Sequence, residues 1–97
     1  MMPPNSKFNL GQLVATPGAL AEFTPEEQQR CLARHLQGDW GDLGAEDKRA
    51  NDQALKDGSR LLSSYVLPEN RKLYIITEAV GDDGQREATT LLLPEEY

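Results

Sequence analysis

Residues 35–44, HLQGDWGDLG, bring the chain's one histidine and one tryptophan together with three glycines and two aspartates. His35 is the residue here best suited to chemistry, because an imidazole of unperturbed pKa about 6.5 transfers protons at neutral pH. His35 and Asp39 are four residues apart, with Asp42 close behind. One histidine and one cysteine do not build a structural zinc site. An oxygen-rich magnesium site would need further carboxylates, such as Asp47 or Glu78, to converge. The reading is therefore no metal and no cofactor, with Asp39 and Asp42 serving turns and caps. Cys31 stands one helical turn before His35, but there is no glycine-flanked serine elbow and no third partner. A small buried thiol is the plainer reading of Cys31.

A metal-independent ribonuclease is the sharper alternative. It would take His35 and Glu78 as proton-transfer groups and Arg60 and Arg86 as phosphate-binding cations, with hydroxyl donors at Ser63, Ser64, Thr77 and Thr90. Helices followed by an antiparallel meander resemble the small barnase-like and RelE-like ribonucleases at the level of fold alone. The structural alternative makes the same segment a polar joint of His35, Asp39, Trp40, Asp42, Asp47, Asn51 and Arg60. Trp40 would anchor the connection, and His35 would make one hydrogen bond at a helix end. Asp47 or Asn51 would bond within residues 35–44, or Asp47 would pair with Arg60.

The elements that position these residues follow from local pattern. GQLVAT (11–16) reads as an extended segment, and TPGALAEF (16–23) as a short helix with Thr16 as cap and Pro17 in the first turn. In TPEEQQRCLARHLQG (24–38), Thr24 and Glu27 form a capping box, Pro25 opens the helix and Gly38 stops it. Leu32 and Leu36 define its buried stripe, with Ala33 beside it and Cys31 and His35 on one shoulder. A second main helix spans 45–58, where Ala50, Ala54 and Leu55 mark the inner arc and Asp47 and Asn51 fall inside it.

After Gly58 the apolar period changes from 3.6 to 2. Runs at 60–67, 72–80 and 86–93, separated by PEN and GDDG turns, predict a three-stranded antiparallel meander. Pro94 ends the last strand. Apolar residues occur on both faces of these strands, so both faces need cover. Either the N-terminal segment or a second subunit supplies it, which makes the chain a candidate homodimer. The expected fold is α+β: a flexible stretch over 1–7, then one domain over 8–97.

Ninety-seven residues bury enough surface for a single core. The net charge of −6 comes from acids and bases interleaved along the chain. That lacks the basic stripe of a duplex-DNA binder, and is a thin imitation of a phosphate rail for a nucleic-acid mimic. One cysteine excludes an internal disulfide and fits a reducing compartment. No apolar run reaches the roughly 20 residues of a membrane helix, and the opening residues lack a signal-peptide layout. A cytoplasmic protein with no membrane association is expected.

TPGAL, RHLQGDWGDL, ED…N…AL, SRLLSSY, LYIITEA and TTLLLPEEY, in this order, resemble a family of small bacterial proteins whose genes often lie on plasmids and integrated mobile elements. Such proteins are usually described as plasmid-related, and sometimes loosely as restriction-modification subunits. The resemblance runs from about Leu13 to Tyr97, and VGDDGQ looks like a local extension of a hairpin loop. It implies no established activity, and a chain of this length has no room for a methyltransferase domain. The functional expectation is a cytoplasmic accessory protein of mobile elements that binds a macromolecular partner, with protein favoured. The alternatives are the ribonuclease, with RNA as partner, and an acidic nucleic-acid mimic directed against host restriction.

Overall fold

Two helices begin in the same way, on a threonine followed by proline. Thr16 Oγ1 accepts from the Ala19 N–H and caps α1 (Pro17–Glu22). Thr24 and Glu27 form the reciprocal capping box of α2 (Pro25–Leu36), which satisfies two otherwise orphaned backbone donors. Gly38, with φ +82°, ends the chain's helical course after α2. The third helix, α3 (Ala45–Asp57), starts at Gly44 without a side-chain cap and stops on left-handed Gly58. These features belong to a computed structural model in which residues 6–97 are described. The flexible stretch expected over 1–7 lies, for residues 1–5, outside the described residues. Lys7 donates its backbone N–H to Leu36 O at 2.8 Å.

The fold is α+β with three helices and a four-stranded mixed sheet. The strands are β1 (Gln12–Ala15), β2 (Leu61–Leu67), β3 (Arg71–Thr77) and β4 (Ala88–Leu92), in the spatial order β1-β4-β3-β2. This corrects the expected three-stranded antiparallel meander. The two antiparallel pairings are present, but β1 adds to the outer edge of β4 in parallel, with Gln12 opposite Ala88. Local turn chemistry encodes the hairpins and carries no information on this non-local pairing. The last two strands are also shorter than their apolar runs, because residues 78–87 form the hairpin turn, closed by an isolated bridge between Val80 and Arg86.

Alternation along the strands sorts the sheet into two faces. Leu61, Ser63 and Tyr65 of β2 share a face with Leu73, Ile75 and Thr77 of β3 and with Thr89 and Leu91 of β4. The helices pack on that face. Ala19, Phe23 and Cys31 join Tyr65, Leu73, Ile75 and Leu91 in one core, while Trp40, Ala54 and Leu61 form a second. Among the described residues, the part of the N-terminal segment before β1 is not seen on the opposite face, which one of the two expected arrangements required. Phe8 instead packs at the helix side, its ring edge-on to His35 and stacked on Trp40.

Candidate functional site

His35 projects from α2 into the sheet and is fully buried, so its expected place on the shoulder of the apolar stripe is corrected. Both ring nitrogens are engaged: Nδ1 lies 2.5 Å from Ser63 Oγ, and Nε2 lies 2.9 Å from Thr77 Oγ1. The chain continues from Thr77 Oγ1 to Thr89 Oγ1 at 2.7 Å, and Thr89 donates to Leu10 O at 2.8 Å. That last bond fixes the chain as far as the ring. Thr89 has one hydroxyl hydrogen and gives it to Leu10, so Thr77 must donate to Thr89. Thr77 therefore accepts from Nε2–H. With the ring neutral at its lowered pKa, that is its one proton, and Nδ1 accepts from Ser63. Burial, reinforced by the Arg86 cation, pushes the imidazole pKa down to about 3.

Arg86 is a buried cation at this end of the sheet, only 7% exposed. Its guanidinium donates to Ser59 O at 2.8 Å, Glu78 O at 2.9 Å and Ala54 O at 3.1 Å, which ties the end of α3 to the β3–β4 turn. Burial lowers its pKa from the usual arginine value. Its Cζ stands 5.8 Å from the Phe8 ring centroid.

The connection 37–44 is held as a strand stub against β2. Ser64 N–H donates to Trp40 O, and Asp42 N–H donates to Ser64 O at 2.6 Å. Gly41 has φ +78°, and a Cβ there would run into Ser64 O and the Tyr65 ring, so only glycine fits. Trp40 is 3% exposed and donates its indole N–H to Asp52 at 2.9 Å. The Asp39 carboxylate accepts from Nε and Nη2 of Arg34 at 2.7 and 3.2 Å and from the Gly41 N–H, interactions that lower its pKa. The Asp42 side chain is exposed.

Helix α3 differs from its expected inner arc. Ala50 and Asp47 are exposed, while Asn51 is buried beside Ala54. Asn51 does not bond to residues 35–44 or to Arg60. Its amide donates to Leu62 O at 2.7 Å and accepts from the Leu62 N–H at 3.2 Å. At Leu62 and Ser64 the outer edge of β2 thus has its backbone groups met by an asparagine and by the 40–42 stub. Asp47 takes no part in the joint, and Arg60 turns to Tyr97, donating to its hydroxyl at 2.6 Å.

The four residues of the ribonuclease reading lie at one end of the sheet but not around one opening. Arg60 and Glu78 flank the Leu61–Thr77 pair and take the helix-free face, both exposed. His35 and Arg86 are buried on the other face, so the sheet stands between the two pairs. A groove of about 440 Å³ lined by Glu22, Arg71, Lys72 and Leu93 opens at the opposite end of β3 and includes none of the four. Among the described residues, no group of three or more His, Cys, Asp or Glu side chains is placed to hold a metal ion.

Sequence reasoning missed Thr89, Asp52, Phe8 and Tyr97 as partners of the singled-out residues. The signal for Thr89 is its place two residues before Leu91 on the inward face of β4, opposite Thr77. The helix-free face is the second apolar face for which the strand pattern expects cover. It carries Ile76 and Leu92 at its centre, both 6% exposed, with Val14 and Val66 more open at 40% and 45%. Tyr97 lies edge-on to Tyr74 at 6.0 Å, with Arg60 Cζ 5.6 Å from the Tyr97 ring centroid. Among the described residues no helix is long and apolar enough to cross a membrane. No family model matches the chain, and no curated protein or solved structure does either.

Proposed function

We propose that this chain is a small cytoplasmic accessory protein, of the mobile-element kind its motifs resemble, that binds a partner protein through the helix-free face of its sheet. The observation that carries this reading is the composition of that face: Val14, Val66, Tyr74 and Tyr97 around an apolar centre, with Arg60 among them. Tyrosine and arginine beside apolar side chains are the residue types enriched at the centres of protein interfaces. Catalysis by His35 draws no support from a neutral imidazole with both nitrogens committed and no exposure.

The test is affinity capture with the tagged chain from its bacterial host, run beside Val66→Glu and an Asp47→Ala control. A protein retained at constant stoichiometry by the parent and the control, and lost with Val66→Glu, is the expected result. Equal recovery with Val66→Glu would overturn the assignment of the face. Cleavage of RNA by the pure chain, abolished by His35→Ala without loss of folding, would overturn the non-enzymatic reading.

A further inference from the structure

The two edges of the sheet are treated differently. The β2 edge is covered at Leu62 and Ser64 by Asn51 and the 40–42 stub, whereas β1 forms the opposite edge with a strand on one side only. Gln12 and Thr16 direct their N–H groups inward, to Glu87 O and Leu91 O. By alternation, Leu13 and Ala15 direct their N–H and C=O groups outward, where no partner lies among the described residues.

An open edge is ordinarily blunted by shortness, charge, proline within the strand or a bulge. Of these β1 has only its short length of four residues, and its sequence QLVA carries no charge or proline. It sits inside a run of fourteen residues, 8–21, that carries no charge in a chain that is 27% charged. Apolar side chains lie on both sides of the edge: Leu13 is 52% exposed, Val14 40%, and Leu20 of the following α1 58%.

We infer that β1 is a homodimerisation edge, pairing antiparallel with β1 of a second copy about a two-fold axis through Val14. The register follows from which groups point outward. Leu13 and Ala15 of one copy meet Ala15 and Leu13 of the other in hydrogen-bonded pairs, giving four backbone bonds. Val14 then faces its own mate in the closer, non-hydrogen-bonded position, a β-branched pair on the helix-free face. The neutrality of the run is what admits a second copy. Two chains of net charge −6 repel wherever their acids approach, and the paired positions 13–15 carry none. The Glu96 carboxylate, held by Thr16 Oγ1 at 2.6 Å, lies at the strand's end, where Thr16 meets Gln12 of the other copy. A basic partner would find no carboxylate on the strand to recognise. The product is one continuous eight-stranded sheet with both helix-free faces on the same side. This inference goes beyond the partner reading and does not depend on it.

The experiment is sedimentation equilibrium on the intact chain from micromolar to millimolar concentration, beside Val14→Lys. The parent is expected to dimerise. Val14→Lys, an exposed edge substitution, is expected to keep its unfolding midpoint while weakening the dimer by roughly tenfold or more, because it sets two like charges directly opposite each other. Register is read separately with Val14→Cys and Gln12→Cys under mild oxidation, Cys31 being 4% exposed in the core. Rapid disulfide-linked dimer from Val14→Cys and little from Gln12→Cys supports the axis. A parent that stays monomeric throughout, a dimer unaffected by Val14→Lys, or equal cross-linking at both positions overturns it.

Discussion

Asn51 and Leu62 are joined as two strand residues would be. The side-chain amide of one donates to the carbonyl of the other at 2.7 Å and accepts its N–H at 3.2 Å. A helix residue thereby completes a sheet edge. Asn51→Ala leaves a Leu62 N–H and C=O without partners at a site 5% exposed, and is expected to cost about 1–3 kcal/mol. Asn51→Asp keeps the acceptor but sets a carboxylate oxygen against Leu62 O, and is expected to be at least as harmful. Urea unfolding midpoints measure both, and an Asn51→Ala protein as stable as the parent would deny the edge this role.

The His35 imidazole makes stability depend on pH in a definite direction. Its folded pKa, about 3, lies below the unfolded value near 6.5. Between those limits the unfolded chain binds a proton that the folded chain refuses, so stability is full above about pH 6.5 and falls as the pH is lowered. The slope is about 1.4 kcal/mol per pH unit at most. Asp39, Glu27 and Glu96, whose folded pKa values are lowered, add their losses only on further acidification through the carboxylate range. From pH 6.5 to 5 the slope therefore belongs chiefly to His35. Chemical denaturation should show it in the parent, and nitrogen chemical shifts should place the ring proton on Nε2. An imidazole that titrates near pH 6.5 in the folded protein would contradict the buried network.

Gly41 and Gly84 share a left-handed backbone but not a neighbourhood. Both have φ near +80°, at +78° and +77°. A Cβ on Gly41 meets Ser64 O and the Tyr65 ring, while one on Gly84 meets nothing. Gly84→Ala is expected to cost about 1 kcal/mol, the conformational term alone. Gly41→Ala adds displacement of the stub from β2, and is expected to cost about 3 kcal/mol or more. Thermal unfolding of the two variants side by side gives the comparison, and equal losses would mean that the stub yields freely.

What was legible in the sequence was local. Thr16, Thr24 and Glu27 announce their caps, and the PEN and GDDG turns announce their hairpins, because each interaction closes within a few residues. The parallel docking of β1 on β4 was not legible, since no turn records a pairing between the two ends of a chain. For His35, the helical wheel placed the residue beside the apolar stripe but could not show that Ser63 and Thr77 lay across from it. The same limit applies to Asn51 and Asp47. Both were seen to share a helix face, yet the edge of β2 reaches only Asn51, and Asp47 stays in solvent.

The bond from Thr89 to Leu10 spans 79 residues, and β1 lies beside it on β4. Synthesis proceeds from the first strand to the last, so β1 has no strand to pair with until β4 has been made. Until β4 emerges, the uncharged run at 8–21 has no sheet to join. Contacts of such long sequence separation are also slow to form once the whole chain is free. The interval between translation of β1 and its insertion leaves an uncharged, apolar segment without its sheet, the condition that invites misassociation, and the arrival of Thr89 closes it.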